Sequence, residues 1–322
     1  ASFGLGKPLC DLWPCAAKTL PGVTRTRGAA TLAELRFDVA TALSLGAPMG
    51  FAVLSDGMGG HSCGDVASGI VATELFSELK LLSGAPEEME RNIGPVLQEA
   101  VEAANGCIQM YEQQNPDASG MGATLVAPVI FGARLYWVSV GDSPLYLWRA
   151  GRLYRLNEDH SYAAQIDLMQ ARGLMDADEA RNHPDRSALI SVLAGAEIAK
   201  VDCRAEPMTL QAGDIVLATS DGLHTLADER VAEVLQDHAK ATGQEIGAAL
   251  LAAVHAEGCP EQDNLSLCVI KAEHRGETQE ARPVSTPQPA ASPATGEVVQ
   301  IDRRAHRGTV RTIVSLTRKV GK

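Results

Sequence analysis

The chain of 322 residues lacks the features that mark membrane, secreted and nucleic-acid-binding proteins. No apolar stretch approaches the roughly 18 to 20 residues of a membrane span, and the N-terminus lacks the basic-then-apolar layout of a signal peptide. We therefore expect a cytoplasmic protein with no membrane partner. Basic residues are the minority, 28 against 40 acidic ones, and the formal net charge is -12. Nucleic acid is not an expected partner, because phosphate backbones need a positive surface.

The seven cysteines are odd in number and scattered, and none forms a C-x-x-C pair. This usage fits a reducing compartment and disfavours a disulfide framework or a zinc site. The chain also has no G-x-x-x-x-G-K-[ST] loop, the segment that cradles phosphates in many nucleotide hydrolases. Hydrophobic residues make up 45% of the sequence, which is ample for a folded core.

What the chain does have is a recurring motif, an apolar strand-like run that ends on an aspartate beside a glycine. The runs are FAVLSDG, LYWVSVGDS and IVLATSDG, and a fourth aspartate opens the run DNLSLCVI. The aspartates concerned are Asp56, Asp142, Asp221 and Asp263. Aspartate and glycine are common where strands turn, which would explain any one occurrence. Four such carboxylates favour a site for hard divalent cations, which take oxygen ligands, and hence metal-assisted hydrolysis.

Hydrophobic periodicity predicts the secondary structure. Strands are expected at 35–43, 51–55, 124–131, 135–140, 145–149, 153–156, 188–192, 201–205, 215–219 and 265–271. Helices are expected at 66–82, 95–113, 228–241 and 245–257. The four strands between 124 and 156 are predicted to form a β-meander. Because strands come in runs and helices in pairs, we expect an α+β fold of antiparallel sheets covered by helices.

Composition divides the chain into four parts, which are an irregular N-terminal extension (1–23), a body (24–272), a Pro/Ser/Thr-rich linker (273–296) and a basic tail (297–322). The linker is too polar to bury enough surface to fold. The tail is either a disordered solubilising segment or docks onto an acidic surface, of a partner or of the body itself. Within the body, the polar segment 158–186 is predicted to form a flap over the sheet, and loops of this kind carry specificity.

Five motifs occur in a fixed order: D-G-M-G-G-H-x-x-G-x-x-A-S at 56–68, G-A-T at 122–124, V-G-D-S at 140–143, T-S-D-G-L at 219–223 and D-N at 263–264. Each motif alone is weak, but the ordered set, which lies within 24–272, resembles the bacterial branch of the metal-dependent (type 2C, PPM) serine/threonine protein phosphatases. The resemblance implies an α-β-β-α sandwich with a two-metal centre at one end of the paired sheets.

The resemblance also implies roles for individual residues. Asp56 bridges two Mn²⁺ or Mg²⁺ ions, and the carbonyl of Gly57 binds one of them. Asp221 and Asp263 complete the shell of the first metal. Asp142, together with Asp221, holds a third and weaker ion.

The chain departs from the family pattern at the second metal and at the phosphate clamp. The family's opening arginine and Asn-Glu-Asp triplet are absent. The nearest register keeps Glu34 as a metal ligand, whereas Leu35 replaces the aspartate and Ala30 the arginine. Arg25 or Arg27 either reaches in to clamp the phosphate or is a solvated charge.

Two further residues bear on catalysis. His61 is a candidate general acid for the leaving alkoxide, because histidine titrates in the working range, and its alternative is a structural histidine at a helix start. Pro144 stands where an arginine commonly follows Gly-Asp-Ser in the family. No cysteine has an arginine six positions on, which excludes a Cys-x5-Arg phosphatase mechanism.

The leading hypothesis is hydrolysis of phosphoserine and phosphothreonine in proteins by a metal-activated water at a bimetallic centre. Its expected partners are phosphoprotein substrates and a cognate serine/threonine kinase. The alternative is a pseudophosphatase that binds phosphoproteins or partners, and the missing Asn-Glu-Asp triplet supports it. A two-metal phosphodiesterase on another fold is disfavoured, because such sites draw on several histidines.

Overall fold

The computed structural model describes residues 37–43, 49–58, 63–82, 85–259, 262–272, 298–301 and 314–318. The strands are β1 (Phe37–Leu43), β2 (Met49–Met58), β3 (Gly122–Ala123), β4 (Leu125–Phe131), β5 (Arg134–Val140), β6 (Leu145–Arg149), β7 (Arg152–Arg155), β8 (Asp202–Thr209), β9 (Ile215–Thr219), β10 (Ser266–Lys271), β11 (Val298–Ile301) and β12 (Val314–Arg318). The α-helices are α1 (Gly64–Leu82), α2 (Pro86–Arg91), α3 (Ile93–Gln114), α4 (Tyr162–Ala171), α5 (Ala177–Arg181), α6 (Asp228–Asp237) and α7 (Gly243–Glu257).

The strands form two six-stranded antiparallel sheets. The first has the order β1-β2-β4-β5-β8, with β3 paired to β2, and the second has the order β11-β12-β10-β9-β6-β7. Alternate residues of both sheets meet in a shared core, which includes Leu54, Val126, Leu135, Leu145, Val216 and Cys268. The predicted α+β fold of two antiparallel sheets is confirmed.

Helices cover the outer face of each sheet. Leu75 of α1 and Leu97 of α3 pack in one core cluster with Val53 of the first sheet. On the other side, Leu250 of α7 belongs to a cluster with Leu217 of the second sheet. The layers therefore follow the order helix, sheet, sheet, helix, and the strand ends of both sheets can meet at one edge.

The predicted β-meander between 124 and 156 is wrong, because its strands belong to different sheets. The strands β4 and β5 lie in the first sheet, whereas β6 and β7 lie in the second. The chain crosses between them in the Gly-Asp-Ser turn, where Gly141 has a φ of 100°. Left-handed backbone of this kind is accessible to glycine at little cost, so the turn can change the direction of the chain.

The predicted strand at 188–192 is also wrong. The segment makes only isolated bridges, of Leu189 with Ser161 and of the neighbouring Leu193 with Ala123. The Ser191 hydroxyl donates to the Lys200 carbonyl at 2.6 Å, so part of its polar bonding is satisfied locally and not by a ladder. The helix expected over 228–241 ends at Asp237.

The second sheet continues beyond the expected end of the body at Ala272. Strand β12 pairs with β10, and β11 pairs with β12, so two short stretches within 297–322 pair with the second sheet. The N-terminal extension 1–23 and the linker 273–296 lie outside the described residues. Two short helices, α4 and α5, occupy the predicted flap.

Two general properties concern the described residues alone. None of their helices combines the length and the apolar character needed to cross a membrane. The five cysteines among them form no disulfide.

Candidate metal centre

Asp56 lies inside a strand and not at its end. Strand β2 runs on through Asp56 and Gly57 to Met58, where it pairs with β3. The Asp56 amide donates to Thr124 Oγ1 at 3.1 Å, and the Thr124 amide donates to the Asp56 carbonyl at 2.8 Å. These two bonds fix the Asp56 backbone against the Gly-Ala-Thr motif.

Thr124 also connects Asp56 to the turn that carries Asp142. The hydroxyls of Thr124 and Ser143 lie 2.8 Å apart, and both residues are buried. A Cβ on Gly141 would lie only 2.7 Å from Thr124 Cγ2, so the close approach of the two motifs requires a glycine there. The Gly-Ala-Thr and Val-Gly-Asp-Ser motifs therefore meet in space.

A buried asparagine holds the turn after Asp142. Asn157 accepts a hydrogen bond from the Leu145 amide at 2.7 Å through Oδ1. Its Nδ2 donates to the Ser143 carbonyl at 3.0 Å and to the Ser139 hydroxyl at 3.1 Å. Asn157 thus satisfies polar groups on both sides of the Gly-Asp-Ser turn, and it fixes where β5 ends and β6 begins.

Asp221 and Asp263 lie at the ends of the neighbouring strands β9 and β10. Gln262 joins the two segments, since its Nε2 donates to the Gly222 carbonyl at 3.0 Å and to the Asp263 carbonyl at 2.8 Å. A Cβ on Gly222 would lie 2.4 Å from the Asn264 carbonyl oxygen. The glycine of the Thr-Ser-Asp-Gly-Leu motif is therefore required for the two segments to approach.

The negative charges of three aspartates act on the fourth, Asp56. Burial raises the pKa of Asp56 well above its ordinary range, and the negative charges of Asp221, Asp263 and Asp142 raise it further. Burial, with the charges of Asp221 and Asp159, raises the pKa of Asp142 to about 7. Mutual repulsion of this kind makes the cluster attractive to cations.

The residues fit a divalent cation by charge and by chemistry. Within the described part of the chain, no three His, Cys, Asp or Glu side chains already stand in a metal-holding arrangement. The aspartates are nevertheless near enough for three of them to perturb the pKa of Asp56. Carboxylate oxygens are the ligands that Mg²⁺ and Mn²⁺ prefer, so the donor set of the four aspartates fits such an ion.

The remaining predicted residues are distributed unevenly. Gly57 pairs with Ala123, and a Cβ on Gly64 would lie 2.9 Å from the Gly57 carbonyl oxygen, so α1 begins directly against that carbonyl. The other candidates lie outside the described residues and stay predictions: Glu34, Arg25, Arg27 and His61.

Sequence reasoning missed residues that hold the site in place. Asn157, Arg155 and His160 lie within seven residues of one another, where a strand gives way to the flap. The His160 ring is buried, and its Nδ1 accepts from the Gly141 amide at 3.2 Å. The signal in the sequence is the polar run Asn-Glu-Asp-His at 157–160, directly after a predicted strand. Most of this run falls in the predicted flap, so its residues are not expected to support the site.

Comparisons with known proteins agree with this architecture. The Protein phosphatase 2C family profile matches residues 38–255. The chain is 36% identical over 184 residues to the serine/threonine protein phosphatase PstP of Mycobacterium tuberculosis, and this match covers 57% of the chain and 34% of PstP. It is 30% identical over 237 residues to the serine/threonine phosphatase stp of Listeria monocytogenes, with 72% of the chain and 87% of stp covered.

A solved structure shows the same fold. The catalytic domain of the serine/threonine protein phosphatase PstP, in complex with two manganese ions, matches with a TM-score of 0.56 at 30% identity. The match covers 77% of this chain and 95% of that one. The chain belongs to the protein phosphatase 2C family. It spans about a third of the length of the full PstP sequence.

Proposed function

We propose that this protein hydrolyses phosphoserine and phosphothreonine in proteins, with Mn²⁺ or Mg²⁺ bound at the aspartate centre. The observation that carries the proposal is that Asp142, Asp221 and Asp263 lie near enough to the half-buried Asp56 for their charges to raise its pKa. The PstP catalytic domain, which has the same fold, is in complex with two manganese ions, and this supports a site for at least two ions here. The proposed substrates are phosphoproteins, as the names of the relatives suggest, and the activity would reverse that of a cognate kinase in the cytoplasm.

Each of the described residues has its own proposed role in binding the ions. Asp56 would be shared by two ions and the Gly57 carbonyl would bind one of them, Asp221 and Asp263 would complete the ligands of the first ion, and Asp142 with Asp221 would hold a third, weaker ion. Bound divalent ions supply positive charge to the phosphoryl oxygens and lower the pKa of a water molecule. The protein's own residues hold the metal-binding segments in place. Thr124 and the other buried hydrogen-bonding residues fix the backbone of these segments, so that little reorganisation is needed when the ions bind.

A pseudophosphatase is the second candidate. The sequence favours it at one place, because Leu35 and Ala30 stand where the family has an aspartate and an arginine. Loss of those groups would weaken the second metal and the phosphate contact without affecting Asp56, Asp221 or Asp263. Metal affinity and turnover measured on one preparation therefore separate the two candidates.

The test uses the purified chain with Mn²⁺ and two substrates, a phosphothreonine peptide and p-nitrophenyl phosphate. We expect turnover that EDTA abolishes and that Asp221→Asn lowers on the order of 100-fold or more, because a metal ligand is lost. Asp237→Asn is the matched control, since Asp237 is exposed at the end of α6. Turnover that is insensitive to EDTA, or equal in Asp221→Asn and the control, would refute the proposal.

A further inference from the structure

An arginine of β7 donates a hydrogen bond to the turn that carries Asp142. The Nη2 group of Arg155 donates to the Asp142 carbonyl oxygen at 2.8 Å. Its Nη1 group donates to Asp159 Oδ2, also at 2.8 Å. The side chain is 24% exposed, so these bonds are only partly screened by water. Charge-assisted hydrogen bonds in such a setting are stronger than neutral ones.

The second partner, Asp159, connects Arg155 to the start of the flap through hydrogen bonds. Asp159 Oδ1 accepts from the Ser161 amide at 3.0 Å, immediately before α4 begins. The carboxylate is therefore fixed by the backbone while it orients the guanidinium. Arg155 thus joins two segments, the Gly-Asp-Ser turn and the first residues of the flap.

The turn itself lacks the arginine that is usual in the phosphatases this chain resembles. Pro144 follows Gly-Asp-Ser, and a proline side chain has neither a charge nor a donor. Arg155 brings a guanidinium to the same turn from the strand that pairs with β6. The positive charge therefore reaches the turn from a different position in the sequence.

We propose that Arg155 is a positioning residue of the metal centre, which fixes the backbone of Asp142 through its carbonyl oxygen. The inference rests on the proposed function, because Asp142 is assigned there to the weakest ion. Two of the five N–H donors of Arg155 are used in these bonds, one on the Asp142 carbonyl and one on Asp159, so the described contacts place the residue against Asp142. Fixing the Asp142 backbone lowers the reorganisation that metal binding requires.

The variants are Arg155→Gln, which removes the charge, Arg155→Lys, which keeps it, and Asp159→Asn, which removes the orienting carboxylate. Arg152→Gln is the matched control, because Arg152 lies on the same strand and is exposed. Three properties are measured: hydrogen exchange of the Gly141, Asp142, Ser143 and Leu145 amides in the metal-free protein, Mn²⁺ affinities by calorimetry, and kcat and KM on a phosphothreonine peptide. Circular dichroism verifies that each variant is folded.

We expect Arg155→Gln to speed exchange of the turn amides and to weaken the weakest Mn²⁺ site about tenfold, in line with the loss of a charged hydrogen bond. The tighter sites and KM should stay as in the wild type, while kcat at limiting Mn²⁺ falls. Arg155→Lys and Asp159→Asn should be intermediate, and Arg152→Gln should match the wild type.

Two results would overturn the inference. One is wild-type exchange and wild-type Mn²⁺ affinity in a folded Arg155→Gln protein. The other is a raised KM with unchanged Mn²⁺ affinity, which would make Arg155 a phosphate ligand. Failure of the proposed function is distinguishable, because it would appear as absent turnover in the wild type, whereas the exchange of the turn amides is read without metal or substrate.

Discussion

Replacing Asp142 with asparagine should stabilise the metal-free protein, although it removes a proposed metal ligand. Burial and the charges of Asp221 and Asp159 raise the pKa of Asp142 from 3.8 to about 7. A folded-state pKa above the unfolded value means that the folded protein holds the proton more tightly. The resulting stability is fully present below the unfolded pKa of 3.8 and is lost as the pH rises through about 7.

The size of the effect follows from that difference. Between 3.8 and about 7, the cost of ionising Asp142 in the folded state is on the order of 4 kcal/mol, at 1.36 kcal/mol per pKa unit. Asp142 is partly exposed, so solvent screening lowers this cost of ionisation. We therefore expect Asp142→Asn to raise the free energy of unfolding by about 2 kcal/mol near pH 8.5. In a domain of this size, that gain raises the melting temperature by roughly 4 to 8 °C. Near pH 5 the gain should fall below about 1 kcal/mol.

Thermal unfolding in EDTA, followed by circular dichroism across this pH range, is the assay. Saturating Mn²⁺ should reverse the order of stability, because binding to the folded state stabilises the wild type more than the variant. Asp237→Asn provides the control for loss of a surface charge. The reasoning fails if Asp142→Asn is less stable than the wild type near pH 8.5 in EDTA, or if its gain does not depend on pH.

Other substitutions test the packing around the centre. Thr124→Val removes the buried hydroxyl that joins two motifs and should cost about 1 to 3 kcal/mol in urea unfolding; a loss below about 0.5 kcal/mol would contradict the assigned role. Gly222→Ala places a Cβ 2.4 Å from the Asn264 carbonyl oxygen and should abolish turnover. Gly106→Ala has open space around its Cβ, so it should keep its turnover and gain about 0.5 to 1 kcal/mol of stability. Equal turnover in the two variants would refute the steric argument. Burial raises the pKa of Glu74, so stability should fall as the pH rises above 4.5, and Glu74→Gln should flatten melting temperature against pH; an unchanged slope would show that Glu74 is not its cause.

The sequence predicted the layers of the fold and the convergence of its aspartates. Each aspartate is predicted where an apolar run ends, so both the strand and the carboxylate can be identified locally, although β2 in fact continues through Asp56 to Met58. The ordering of five motifs then supplied what no single motif could, the expectation that distant strand ends meet. The charges of Asp142, Asp221 and Asp263 all act on Asp56, whereas their role as metal ligands stays a prediction.

The partition of strands between the sheets could not be predicted in the same way. Strands β5 and β6 look like neighbours in a meander, and only the left-handed Gly141, packed against Thr124, sends the chain across to the other sheet. Periodicity also overstated the apolar run at 188–192, whose hydrogen bonds go to loops. In both places, contacts between residues far apart in the sequence decided the structure over local pattern.

The supporting polar residues were missed for a related reason. Asn157 is buried and bonds to two backbone groups of the Gly-Asp-Ser segment, and the partly buried Gln262 bonds to the Gly222 carbonyl and to the carbonyl of its own neighbour Asp263. Nothing in a single sequence separates such residues from ordinary polar residues of a turn. Their importance comes from burial, which only the packed structure shows.

The most direct test of a competent metal-dependent phosphatase is a count of the ions it binds, made on the preparation used for turnover. Calorimetry with Mn²⁺ should give at least two ions per chain, and the same protein should release phosphate from a phosphothreonine peptide. Asp263→Asn should lose an ion and the turnover together, and Glu34→Gln tests the ligand predicted outside the described residues. Binding of one ion or none, without turnover, would contradict the account and support a partner-binding pseudophosphatase.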